Sequence, residues 1–515
     1  MPIPPERVTH WPKPGTAALA SLAARPNRGS PFVSSVRQKV ALQFIVSNLA
    51  LVANFALTIV LARLLSPQDI GIFSMSAVLM AVAHVFRDFG VTAFIKREKE
   101  LTHASLRNAL GVLLITSWAV AGFMYLSAPY WADFFREVRV VPVVQVLALG
   151  FVFIPFGAIP TAILQREMAV KRSAQVTAVS TTVYFAASVF LALKDFGPMT
   201  MAWANLINII VTGAMARWAL GRPLPWLPAF GQSKGIVHFG LGNLLTALLK
   251  AADNALPDIL LGRKMTPADV GLFSRANSTV NMVSTALLPT VNYFALPYMA
   301  KVHHANGPVA HEYLRATSLI NALMLPALAA IAVLAQDIVV FLYGKAWLDA
   351  VPAIPWLCLA YAVSSLFTLS APALTGVGKP YAAIGPTALL VVAKVACALW
   401  LMDGTLSTFA LAIALGQLVS LPYQLWIHQR HLNLPWTDWA KSTLPLMAQT
   451  VLVGAVCLAI REALPAHTPA WAAIATVGMG AAVSFLAGCF LLSLPMADEL
   501  KRLQHAVLHR RRSNT

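Results

Sequence analysis

The chain reads as an all-α integral membrane protein of about 14 transmembrane helices, two pseudo-symmetric six-helix lobes followed by two C-terminal helices. Three observations predict this. A chain of 515 residues that is 58% hydrophobic and 11% charged, with mean hydropathy +0.69, lies far outside the composition of soluble domains. Apolar runs of about 20 residues, enough to cross a bilayer, recur along its length. Finally, LARLLSPQDIGIFS at 61–74 returns as LGRKMTPADVGLFS at 261–274, matching at Leu61/Leu261, Arg63/Arg263, Pro67/Pro267, Asp69/Asp269, Gly71/Gly271 and Phe73/Phe273.

Taken in order, residues 1–36 are rich in Pro, Ala, Ser and Arg and predict a disordered cytoplasmic tail. The first long apolar run starts near 40 and outlasts a signal-peptide h-region, which argues against a cleaved leader. Residues 37–222 form the first lobe, with spans at 40–62, 70–95, 105–126, 140–164, 174–193 and 198–220. A basic, proline-rich connector occupies 223–233. The second lobe, 234–432, has spans at 236–261, 269–299, 313–335, 350–375, 380–402 and 405–427. Spans at 441–460 and 470–494 lie outside the duplication in the segment 433–494, and 495–515 is a basic cytoplasmic tail. Six spans separate equivalent points of the two copies, so both lobes insert with the same orientation.

The repeated segment is a tight turn between two helices. Ser66 or Thr266 is the N-cap, proline takes the first helical position, and Asp69 or Asp269 sits near the positive end of the helix dipole.

A net charge of +18 invites nucleic acid, but its placement points elsewhere. Lys96, Arg97, Lys99, Arg166, Lys171 and Arg172, together with both tails, fall on one side of the predicted spans, while few basic residues fall on the other. That is the positive-inside bias, which puts both termini in the cytoplasm and excludes nucleic acid as the partner. The cysteines, Cys358, Cys397, Cys457 and Cys489, all lie in predicted spans with no metal spacing. No cofactor, metal or catalytic residue is expected. GVGK at 376–379 lacks the spacing of a phosphate-binding loop, and no motor sequence implies direct use of ATP.

Polar stripes mark the first span of each lobe: Gln43, Ser47, Asn54 and Thr58 in one, Asn243, Thr246, Lys250, Asp253 and Asn254 in the other, continued by Arg275, Ser278 and Asn281. On a bilayer helix such a stripe faces protein or water. It either joins helices or lines a hydrated cavity. The charged positions within spans are Arg87 and Asp88, Lys250 and Asp253, Arg275, and Lys394. Lys250 and Asp253 are spaced to pair along one helix, while Arg87 and Arg275 lie close enough to interfaces for snorkelling to compete. An excess of cations over acids predicts an anion-attracting cavity, with Arg suited to phosphate by bidentate contact and Lys as a point charge. Asp253 and Asp88 are the candidate coupling acids.

LARLLSPQDIGIFSMSAV, DFGVTAFIKREKELT, AILQREMAVKRSA and LLGRKMTPADVGLFSRANSTVN together resemble the bacterial polysaccharide transporter family, within the superfamily of multidrug and oligosaccharidyl-lipid exporters. The resemblance covers the first eight spans and, by span count, the remainder. It implies two lobes around a cationic cavity that opens alternately to either side. It further implies translocation of an undecaprenyl-diphosphate oligosaccharide across the bacterial inner membrane for exopolysaccharide, O-antigen or capsule assembly. Partners implied are membrane lipids and the polymerase and export machinery. Within the resemblance Arg275, in GLFSRAN, carries over as a cavity arginine. A cation-coupled multidrug exporter and a membrane glycan polymerase are the alternatives. Short outer loops and the internal duplication argue against the polymerase.

Overall fold

The computed structural model describes residues 31–88, 91–92, 95, 101–167, 169–225, 227–229, 234–401, 403–465, 467–492 and 494–497. Among the described residues every regular element is helical: α1 Pro31–Leu64, α2 Pro67–Asp88, α3 His103–Phe135, α4 Val140–Arg166, α5 Val170–Leu193, α6 Met199–Leu220, α7 Lys234–Lys264, α8 Pro267–His304, α9 Val309–Val333, α10 Ala335–Leu342, α11 Ile354–Ser365, α12 Ser370–Gly376, α13 Ile384–Leu401, α14 Leu406–Leu432, α15 Trp436–Ala463 and α16 Ala470–Leu491. Eleven helical segments among them are long and apolar enough to cross a membrane. The other expected spans, the first, seventh and eighth, fall within α1, α7 and α8. Helix α1 starts at Pro31, inside the stretch expected to be a tail, because proline is pre-organised for a first helical turn. The outermost tail residues lie outside the described set.

The repeated turns have the expected chemistry. The Asp269 amide donates to Thr266 Oγ1 at 3.3 Å while the Thr266 amide donates to Asp269 Oδ2 at 3.0 Å, and Ser66 with Asp69 repeats the exchange at 3.2 Å in both directions. Each pair satisfies backbone donors that a helix start leaves open.

The chain divides into two compact units, 1–65 with 75–251, and 66–74 with 252–515. In the first, α4 packs on α3 and α6, α5 on α6, and α1 on α5. Gly157 and Gly213 let α4 and α6 close tightly, since a Cβ on Gly157 would stand 2.8 Å from the Gly213 Cα. Val91, Leu106, Leu113, Ile163 and Ala216 are buried in its core.

The second unit repeats the plan. Here α11 packs on α9 and α14, and α13 packs on α14. The span expected at 350–375 is broken into a 3-10 segment Lys345–Ala353, α11 and α12, with turns at 366–369. Two of its prolines begin helices: Pro355 lies in the first turn of α11 and Pro372 in the first turn of α12, while Pro352 lies near the end of the 3-10 segment. Asn321 on α9, fully buried, closes the break. Its amide donates to the Ser365 carbonyl at 3.2 Å, and Ser365 Oγ donates back to Asn321 Oδ1.

The C-terminal helices are part of this unit. Ser318 and Ser442 hydroxyls meet at 2.6 Å, and Arg461 Nε donates to Asp337 Oδ2 at 2.7 Å, with Nη2 reaching Oδ1 at 3.2 Å. The two links have the same sequence offset of 124, so α15 runs parallel to the α9–α10 segment. Parallel neighbours need an odd number of crossings between them. The broken segment, α13 and α14 supply that number only if the broken segment counts as one crossing.

Candidate functional site

The turns place the second unit's polar residues. Residues 66–74 belong to that unit, where the start of α2 lies directly against the start of α8: a Cβ on Gly71 would fall 1.6 Å from the Pro267 carbonyl oxygen, and one on Gly271 1.9 Å from the Pro67 oxygen. Only glycine permits backbone contact this close. The duplicated motif is therefore a reciprocal contact between its own two copies.

From that junction α8 carries Arg275 a little over two turns in. The side chain is half-buried and its Nε, fully enclosed, has no hydrogen-bond partner. One turn further on, Thr279 Oγ1 caps the Arg275 carbonyl at 2.9 Å and donates to the Tyr343 hydroxyl at 3.1 Å, and Tyr343 packs edge-on against Trp347. No carboxylate pairs with Arg275 among the described residues.

Lys394 is different. Its Nζ donates to Asp253 Oδ1 at 2.6 Å, with side chains 12% and 24% exposed. Gly416 brings α14 against the Lys394 backbone, 2.7 Å from the position a Cβ would take, so the lysine is anchored at a close helix crossing. The pairing expected along α7 between Lys250 and Asp253 thus gives way to one between helices. In the first copy of the repeat Ala53 stands at the position equivalent to Asp253.

Lys250 is exposed and has no carboxylate partner among the described residues. Asn254 lies one turn on from it, also exposed, and Asp258 a further turn on, half-buried. Sequence reading passes over Asp258, although its i, i+4, i+8 spacing with Lys250 and Asn254 puts it on their face. It also misses the Asp337–Arg461 pair, because those residues lie 124 positions apart with no local pattern joining them. Asn54 is exposed and bonds its own helix, Nδ2 donating to the Ala50 carbonyl at 2.9 Å. Arg87 is half-buried, and its carbonyl accepts from Thr116 of α3 at 2.9 Å. Asn281 is half-buried on α8, where its carbonyl accepts from Thr285. The side chains of Gln43, Asp88 and Asn243 lie outside the described residues. Among the described residues no cluster of His, Cys, Asp and Glu could hold a metal.

Residues 60–352 match the family described as "Polysaccharide biosynthesis protein", more than half of the chain. The chain belongs to that family. Among curated members of similar sequence, WzxC of Escherichia coli K12, a lipopolysaccharide biosynthesis protein, is 22% identical over 58% of this chain and 61% of its own length, less than two thirds. ExoT of Rhizobium meliloti, a succinoglycan biosynthesis transport protein, is 22% identical over 87% of this chain and 91% of its own. TuaB of Bacillus subtilis, a teichuronic acid biosynthesis protein, is 21% identical over 73% and 79%. The fold of this polysaccharide biosynthesis family member is similar to that of the lipid II flippase MurJ, solved in an inward closed conformation, with TM-score 0.69 at 11% identity over 88% of this chain and 98% of MurJ. An inward-facing multidrug MATE transporter matches at TM-score 0.59 with 17% identity over 75% and 95%. The all-helical membrane fold expected from composition is the fold observed, and it is similar to those of MurJ and the MATE transporter.

Proposed function

We propose that this protein translocates an undecaprenyl-diphosphate-linked oligosaccharide across the bacterial inner membrane by alternating access of two lobes, 37–222 and 234–432. Both termini would then be cytoplasmic and the polymerase would act on the product at the other side. The observation that carries the reading is Arg275: a half-buried guanidinium on a membrane helix, with an enclosed Nε that no group among the described residues satisfies. Such a group costs at least about 2.5 kcal/mol to place within a bilayer. A polyanionic headgroup that comes and goes supplies the missing acceptor, and a guanidinium meets it with paired donors. Lys250, exposed and without a carboxylate partner among the described residues, carries a positive charge on α7. Lys394 contributes less, because Asp253 already neutralises it. Of the two candidate coupling acids of the multidrug-exporter reading, Asp253 is held in the same ion pair.

The test is polymer export in a strain lacking this protein and complemented with variants. Arg275→Ala should cut export at least tenfold, and the Lys250→Ala, Arg275→Ala double variant should abolish it, both at wild-type protein level. Full export by the double variant removes the phosphate role from these residues.

A further inference from the structure

A second polar site lies in the second unit, away from Arg275 and unused by the function proposed above. His428 on α14 is 2% exposed. Its Nδ1 lies 2.6 Å from the Gln424 carbonyl, which can only accept, so Nδ1 holds the proton of the neutral ring and Nε2 presents a lone pair. That Nε2 is enclosed and has no hydrogen-bond partner among the described residues.

The groups around it form a specific setting. The Tyr313 ring on α9 lies 5.1 Å from the imidazole and the Phe367 ring 5.5 Å, both tilted, and Phe367 is stacked at 5.9 Å on Trp439 of α15. Phe367 lies within the break between α11 and α12. Tyr313 is fully buried and its hydroxyl makes no hydrogen bond of normal geometry; Thr317, its polar neighbour one turn along, likewise leaves Oγ1 unsatisfied. Tyr313, Thr317 and Asn321 follow one another at i, i+4 and i+8 on α9, and Asn321 is the residue that closes the break through Ser365. Three buried polar atoms without partners among the described residues thus occur on two helices in ring contact, beside the discontinuity of a third.

On α14 the site continues inward as a file of buried polar residues: Gln424 Nε2 donates to Ser420 Oγ at 2.9 Å, and Ser420 Oγ to the Gln417 carbonyl at 2.8 Å. Outward, His428 is four residues, about 6 Å, from the end of its helix.

We propose that His428 Nε2 is a proton-binding site of this transporter, loaded from the cytoplasmic end of α14, and that proton binding there loosens the 366–369 break. The ligand is a hydronium-derived proton. It adds to Nε2 without any bond being broken in the protein, and the imidazolium donates from Nδ1 to Gln424 and from Nε2 to a hydroxyl of α9. The Tyr313 and Thr317 oxygens accept in that state. An imidazolium enclosed by Tyr313 and Phe367 has no counter-ion, so hydration of the break stabilises it. Among the described titratable groups, Tyr313 is in ring contact with it; on its own helix Arg430 lies over the Trp426 ring and His431 is half-buried. On α9, Glu312 is engaged by Tyr298 and His311, and on α15 Asp438 and Lys441 are exposed. The 366–376 segment carries no titratable residue, and on α8 Tyr298 and Lys301 are exposed. This inference names the coupling ion of the transporter proposed above, and its test uses no glycolipid, so the two readings stand or fall separately.

The test is hydrogen–deuterium exchange of the full chain in lipid nanodiscs, following peptides across 361–378 between pH 5.5 and pH 8 after correction for intrinsic exchange. In the wild type, exchange of 366–376 should rise at least threefold towards acid. In His428→Gln, which still donates to Gln424 but takes no proton, it should be flat, and His428→Phe, which keeps the ring contacts, serves as the second variant. A flat wild-type profile, or the same acid response in either variant, overturns the proposal.

Discussion

The ammonium of Lys394 on α13 and the carboxylate of Asp253 on α7 form an ion pair of 2.6 Å between helices, within an apolar segment long enough to cross a membrane. Each charge was expected to serve a substrate or a coupling ion. Their pairing gives both a prior commitment within the protein.

Removing one member leaves the other buried and unpaired. Asp253→Ala or Lys394→Ala should each destabilise by about 3 kcal/mol, the low end for breaking a buried pair, since both groups retain some exposure. The double variant Asp253→Leu, Lys394→Met should recover most of that loss. Thermal unfolding of detergent-purified protein, followed by size-exclusion chromatography, measures all three.

The glycine contact admits no side chain. Gly71→Ala and Gly271→Ala each put a Cβ within 2 Å of a proline carbonyl oxygen, so the helix starts must separate. The cost should reach at least about 3 kcal/mol, the upper range of overpacking. Gly122→Ala, whose Cβ meets nothing within 4 Å, should be neutral in the same expression and melting assay.

The bidentate Arg461–Asp337 pair ties α15 to the short helix α10. Arg461→Ala should cost about 2 kcal/mol, as for a hydrogen bond to a charged group, and the swap Arg461→Asp with Asp337→Arg should restore part of it. The local signature is faster exchange of amides at 335–342 in Arg461→Ala, with 140–166 unchanged.

At Arg275 the identity of the cation matters as well as its charge. Arg275→Lys should restore export only in part, because an ammonium lacks the paired donors of a guanidinium. Lys250→Arg should export normally, since there a point charge at an exposed position suffices. Polymer export by the complemented strain reads both.

The sequence alone determined the class, the duplication and the helix starts. Composition dictates the solvent, backbone satisfaction in lipid dictates helices, and Ser66 with Asp69 or Thr266 with Asp269 sets the caps within four residues of chain. The same locality located the charged positions Lys250, Asp253, Arg275 and Lys394. Which of them is neutralised was settled only by the tertiary structure, because a pair such as Lys394 and Asp253, 141 positions apart, forms where helices cross, and periodicity within one helix says nothing of its neighbour. The break at 366–369 was hidden for the same reason. Pro355 and Pro372 lie in the first turns of the helices that flank it, and Asn321, on another helix, donates to the Ser365 carbonyl that the broken backbone leaves open.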